Sequence, residues 1–298
     1  MSIPTIAAKT IISNYSEGGW FGSNYNMNIY KGCCHGCIYC DSRSECYRVE
    51  NFDSVRVKEN ALAVIEHDLK SKRKTGMVIT GCMSDAYNPF EKQLELTRSA
   101  IKLIDKYGFG IAVDTKSDLV LRDIDLFKSV STHSPVSVSI TITTAEDELC
   151  RKIEQHVCIT SKRFEAIKRL SSEGIPCGLL LMPTLPFIND TDENILSIVR
   201  KSHENSAKWI YCGRGFGVTL RQNQRDYFYM KLNEFFPGIK QKYIQEFGYN
   251  TYDCASPNNE RLWKLFTDEC KRFGILYDMD EISKLVQHGY DYKQTSLI

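Results

Sequence analysis

Short apolar runs alternate along the chain with stretches in which apolar residues recur at helical spacing. This is the mark of βα units built around a mostly parallel sheet. Apolar runs at 27–30, 77–80, 109–114, 136–142, 177–182 and 209–212 predict six strands, and periodic stretches at 58–71, 92–107, 119–129, 161–173 and 192–207 predict the helices between them. Six strands, each followed by a helix, fit an α/β fold of the open, partial (β/α)6 TIM-like barrel kind rather than a closed eightfold one. From about Leu220 the pattern turns helical, over 221–236 and 258–273, with Pro237-Gly238 and Ser256-Pro257 as breaks. The expected organisation is therefore an N-terminal extension (1–25), a barrel (26–219) and a mostly helical C-terminal extension (220–298) packed on the core.

Composition changes this picture little. The chain has 298 residues, 42% hydrophobic and 25% charged, with a formal charge of +1. These are ordinary globular values, and no global basic field marks the chain as a nucleic-acid binder. Twelve cysteines occur without a signal-like start or a long apolar run. A reducing, cytoplasmic setting is expected, with no membrane span and with thiols serving as metal ligands or core residues.

The densest chemistry lies in Gly32-Cys33-Cys34-His35-Gly36-Cys37-Ile38-Tyr39-Cys40. Cys33, Cys37 and Cys40 stand in a CxxxCxxC register. Three thiolates from one loop suit an iron-sulfur cluster, and three rather than four leave one iron open for chemistry. A rival reading lets Cys34 or Cys46 close the site, giving a structural metal protein or an electron-transfer protein. In a parallel barrel the carboxyl ends of the strands face the site. That rule selects the cysteine loop, Gly81-Cys82-Met83-Ser84-Asp85, Thr115-Lys116-Ser117, the 141–144 strand end and Pro183-Thr184.

CxxxCx(aromatic)C after a strand resembles the signature of the radical S-adenosylmethionine (SAM) superfamily. The stretches GCMSDAYNPFEK (81–92), DTKSDLVLRDIDL (114–126), SVSITIT (137–143) and LMPTLPFIND (181–190) look like its spore photoproduct lyase branch. The resemblance covers roughly residues 26–207. It implies a barrel of radical SAM type in which Cys33, Cys37 and Cys40 hold a 4Fe-4S cluster and SAM completes it. Reductive cleavage of SAM then gives a 5'-deoxyadenosyl radical for hydrogen abstraction. By the same resemblance Tyr39, Gly81, Cys82, Met83, Ser84, Lys116, Ser139 and Arg163 are candidate SAM contacts, with Lys116 on the carboxylate and Cys82 also a hydrogen-atom donor. A reduced ferredoxin or flavodoxin is the implied redox partner. A nucleic-acid lesion is one substrate, and a peptide or small molecule is the alternative. One departure stands out: the lyases carry a tyrosine after the last cluster cysteine, whereas here Asp41 follows Cys40.

Plainer explanations accompany several of these residues. Tyr39 and Cys82 suit core packing, and Arg163 suits a helix surface. Asp85 and Glu91 fit either a helix N-terminus or a carboxylate network under the site. Arg122-Asp123-Ile124-Asp125 reads as a salt-bridged helix face, and Cys150, Cys158, Cys177, Cys212, Cys254 and Cys270 as core. Trp263 and Phe266, at helical spacing, are expected to pack rather than to stack on a base; Tyr277, Tyr290 and Tyr292 complete that aromatic tail.

Overall fold

The computed structural model describes residues 3–15, 19–213 and 215–292. Six strands run parallel and in sequence order: β1 (Tyr25–Met27), β2 (Met77–Thr80), β3 (Gly110–Thr115), β4 (Val136–Thr141), β5 (Cys177–Leu180) and β6 (Ile210–Tyr211). A seventh strand, Ile12–Asn14, joins the β1 edge antiparallel. The partial barrel expected from the pattern is thus present, with the N-terminal segment covering its first edge.

Alternation along the strands separates two cores. Val78, Ile111, Val113, Val138, Ile140 and Leu179 face outward and pack with the helices in the largest core. Those helices are α1 (Ala61–Ser71), α2 (Leu96–Lys106), α3 (Ile124–Ser131), α5 (Thr160–Ser172) and α6 (Asp192–Glu204), whereas Ile153 of α4 (Asp147–Ile153) packs with Ile38 and Tyr39 of the cysteine loop. Met77, Ile79, Ala112 and Leu180 face inward and pack on Phe21, Trp209, Ile282 and Val286. Both faces are buried, so polar residues of β3 and β4 such as Asp114, Ser137 and Ser139 are enclosed along with the apolar ones. Gly178 makes room for the inner core, since a Cβ there would lie 2.4 Å from the Trp209 ring.

The C-terminal part holds α7 (Gln224–Phe235), α8 (Ile239–Phe247), α9 (Asn259–Phe273) and α10 (Met279–Gln287). It also holds a small antiparallel pair, Gly217–Thr219 with Asp253–Ala255. The sequence pattern anticipates α7 and α9 but not α8, α10 or this pair. Trp263, Phe266 and Tyr277 pack against one another, with Trp263 and Phe266 ring centroids 5.8 Å apart. Ile282 and Val286 of α10 fill the barrel interior, and Gln287 donates to the Gly22 carbonyl at 2.7 Å.

Three local expectations need correction. The strand expected at 27–30 is split, because Tyr30–Lys31 leaves the barrel to pair antiparallel with Arg56–Lys58. The helix expected at 92–107 breaks at Glu95, which is left-handed (φ 48°). Glu91 exploits that break by accepting the backbone N–H groups of Thr97 (3.0 Å) and Arg98 (3.3 Å) at the start of α2. Third, the Arg122–Asp125 stretch is salt-bridged as expected, but only Asp125 lies at the surface: Asp123 and Glu91 are fully buried, held by Arg98 and Arg122 at 2.8–2.9 Å.

Candidate functional site

A cavity of about 350 Å³ opens at the carboxyl ends of the strands. Cys33, Cys37 and Cys40 all line it, beside His35, Gly81, Cys82, Met83, Asp85 and Lys116. Tyr15, Trp20, Asp114, Leu180 and Met182 also line it.

The cysteine loop is fixed by its backbone. Cys33 N–H donates to Phe52 O at 2.8 Å, Ile38 N–H to Ile153 O at 3.0 Å, and His156 N–H to His35 O at 2.9 Å. Cys37 also forms an antiparallel bridge with Glu154. From the C-terminal part, Gln224 Nε2 donates to the Tyr39 carbonyl at 3.0 Å and Arg221 pairs with Asp41 at 3.0 Å. Ser84 hydroxyl donates to Gly32 O from the next strand end.

Electrostatics separates the three thiols. Burial is outweighed at Cys33 by His35, which holds that thiol below its ordinary range. Burial pushes Cys37 well up and Cys40 up, with Lys116 opposing in both cases. At Lys116 burial is in turn outweighed by Cys37, Glu154, Asp85 and Cys40, so the ammonium is retained. Asp85 organises the floor. Its carboxylate accepts from Thr115 Oγ1 (2.7 Å), Tyr87 N (2.9 Å) and Lys116 N (2.8 Å), and lies 3.5 Å from His35 Nδ1. Of the two options the sequence left open, Asp85 takes the carboxylate network and Glu91 the helix start.

Gly81 has φ +102°, and a Cβ there would lie 1.8 Å from the Asp114 carbonyl oxygen. Glycine is required to bring the two strand ends this close. Asp114 itself takes the Trp20 indole N–H at 2.8 Å, and Cys82 Sγ lies 3.9 Å from the same carboxylate oxygen. Burial pushes Asp114 up to about 7, against Trp20, Ser139 and Lys116. Partial desolvation at the cavity wall and the neighbouring Asp114 push the Cys82 thiol up, although its side chain is solvent-exposed, so it stays protonated.

Four candidates do not line the cavity. Ser84 is buried against Gly32 O, and Ser139 is the buried cross-strand neighbour of Asp114. Tyr39 is buried beneath the loop, its hydroxyl on Glu154. Arg163 is not on a helix surface: it is 0% exposed, pairs with Glu154 at 2.6 Å and donates to Thr141 O and Cys158 O at 2.8 and 2.7 Å. Cys34 and Cys46 are also outside the cavity. Sequence reasoning missed His35, Asp114, Glu154, Tyr15 and Trp20 as site residues. A charged residue ending an apolar strand was the available signal for Asp114; nothing in the sequence pointed to Trp20.

The donor set fits an iron-sulfur cluster. Among the described residues no three His, Cys, Asp or Glu side chains converge as the ligands of a single metal ion. Thiolates on separate irons of one cluster stand further apart, and here three thiols share one cavity with a retained cation.

The sequence model of the Radical SAM superfamily matches residues 27–199. The chain belongs to that superfamily. An uncharacterized protein of Methanocaldococcus jannaschii is 38% identical over 57% of this chain, and the match spans 64% of that relative's own length. An uncharacterized protein of Mycobacterium tuberculosis is 26% identical over 80% of this chain and 71% of its own. Among solved structures, spore photoproduct lyase complexed with dinucleoside spore photoproduct superposes with a TM-score of 0.62 at 13% identity, covering 89% of this chain and 77% of that one. A doubly substituted mutant of the lyase, with bound AdoMet and dinucleoside spore photoproduct, gives 0.63 at 12% identity, covering 90% and 79%. The shared feature is the fold. Among the described residues no helix is long and apolar enough to cross a membrane.

Proposed function

We propose that this chain is a radical SAM enzyme in which Cys33, Cys37 and Cys40 hold a 4Fe-4S cluster and SAM binds beside it over Gly81–Met83. The observation that carries the reading is the meeting of those three thiols with Lys116 and Gly81 in one cavity at the strand ends. When bound, the cluster supplies the electron that cleaves SAM to methionine and a 5'-deoxyadenosyl radical, a hydrogen abstractor.

The protein's own share is orientation and exclusion of competing reactions. Lys116 offers a retained point charge to the SAM carboxylate. Gly81 leaves backbone accessible to the cofactor, and Ser84 holds this strand end to the cysteine loop through Gly32. Cys82 faces the cavity as a protonated thiol and is the candidate hydrogen-atom donor. A reduced ferredoxin or flavodoxin is the fitting electron source.

The likeness to spore photoproduct lyase supports a nucleic-acid lesion as substrate. A peptide or small molecule is favoured instead by Asp41, which stands where the lyases carry a tyrosine and is held by Arg221 and by Tyr47 at 2.7 Å. Salt-dependent DNA binding separates the two, since phosphate contacts weaken steeply with salt.

The class is tested on anaerobically reconstituted protein given dithionite and SAM, by quantifying 5'-deoxyadenosine against a Cys33, Cys37 and Cys40 to Ala triple variant. Product in the wild type alone supports the reading. Iron and sulfide without product, even with candidate substrates present, favours a closed electron-transfer or structural cluster.

A further inference from the structure

We propose that the buried Glu154–Arg163 ion pair is a positioning brace for the cysteine loop and sets the electric field at the group which Cys37 and Cys40 hold. Its mechanical part stands on geometry alone, and its electrical part rests on the cluster assignment above.

The pair lies behind the cavity, outside its lining. Glu154 is 1% and Arg163 0% exposed, and their side chains meet at 2.6 Å. One Glu154 oxygen takes the Tyr39 hydroxyl, two residues from Cys37 and adjacent to Cys40. The Glu154 backbone bridges Cys37 itself. Arg163 carries the connection onward to the end of β4 through Thr141 O and to the turn before α5 through Cys158 O. Cys158 Sγ in turn lies 3.2 Å from the carbonyl of Lys116, the residue whose ammonium faces the thiols. The brace thus joins the loop to the barrel rim and to the lysine strand end.

A fully buried pair that makes contacts on both sides resists loss of either partner far more than a surface pair does. Such a pair also leaves two opposite charges at fixed positions in a low-dielectric region next to the thiolates, where their effect is poorly screened. Removing the cation makes electron entry at the cysteines harder. Removing the anion makes it easier. A merely space-filling pair predicts neither sign.

The test uses the full chain in two forms. In the metal-free protein, iodoacetamide labelling of Cys37 and Cys40 is followed by mass spectrometry for wild type, R163M and E154Q, with circular dichroism confirming that each is folded. R163M is expected to label about tenfold faster at both cysteines, the change expected when local opening loses part of a buried pair's contribution. E154Q, which breaks the same pair but can keep the Tyr39 hydrogen bond, is expected to label faster than wild type and more slowly than R163M. Cys270, far from the brace in the outer core, is expected to label alike in all three. In reconstituted protein, reductive titration monitored by electron paramagnetic resonance gives the midpoint potential. R163M is expected to be more negative than wild type, E154Q more positive, and the double variant E154Q/R163M close to wild type. Where R163M does not fold, R163K replaces it; its labelling rises while its potential stays at the wild-type value. Unchanged labelling in folded R163M or R163K overturns the brace, and shifts of the same sign in the two charge variants overturn the field. A wild type that holds no cluster counts against the proposed function, while the labelling still decides the brace.

Discussion

The Trp20 indole nitrogen stands 2.8 Å from Asp114 Oδ2, joining the N-terminal segment to the third barrel strand at the wall of the cavity. Asp114 is nearly buried, and its carboxyl is pushed up to about 7 from the ordinary aspartate range. The folded protein therefore binds this proton more tightly than the unfolded chain. Between about pH 4 and pH 7 this one group lowers stability as pH rises, by up to about 4 kcal/mol. D114N, which still accepts the indole N–H, removes that dependence. Thermal unfolding of the metal-free protein at pH 5 and pH 8 is expected to show D114N gaining on wild type at the higher pH; a constant difference contradicts the assignment.

Gly81→Ala places a methyl group 1.8 Å from the Asp114 carbonyl oxygen at a φ of +102°. Steric displacement and backbone strain together are expected to cost about 3 kcal/mol or more. Urea denaturation reads this as a lowered midpoint.

Lys116→Met removes the cation that faces Cys37 and Cys40. If Lys116 meets the SAM carboxylate, calorimetric affinity for SAM on the reconstituted protein drops by about tenfold or more, the scale of one charge-assisted hydrogen bond. An unchanged affinity would assign Lys116 to the loop alone.

Cys34 and Cys46 do not line the cavity. The double substitution to serine is expected to leave iron and sulfide content at the wild-type level after reconstitution. Loss of iron would restore the closed four-thiolate site as the better description.

Ile282→Ala opens a void inside the barrel, where the side chain is fully buried against the inner core. A loss of about 2–4 kcal/mol in a single cooperative unfolding transition is expected. A separate early transition would instead mark residues 220–298 as an independent unit.

The barrel was legible because short strand-like segments rich in β-branched residues, as in Gly110–Thr115 and Val136–Thr141, alternate with stretches of helical period. The cysteine loop was legible because its ligand spacing is local. Asp114, Glu154 and Arg163 were not, since their roles depend on partners 94, 115 and 9 residues away respectively, Trp20, Tyr39 and Glu154. A buried arginine on a helix also writes the same letter as a surface one. The α10 helix escaped because its apolar face answers to a distant barrel interior rather than to its sequence neighbours.

The bond from Gln287 to Gly22 spans 265 residues. Both ends of the chain thereby supply the plug that covers the inner wall of Met77, Ile79 and Leu180. During synthesis the strands can pair as they emerge, but this wall stays wet until α10 has left the ribosome. Long-range closure of this kind is slow and leaves apolar surface exposed while it waits. Nascent chains halted before Met279 should therefore be the ones that chaperones hold.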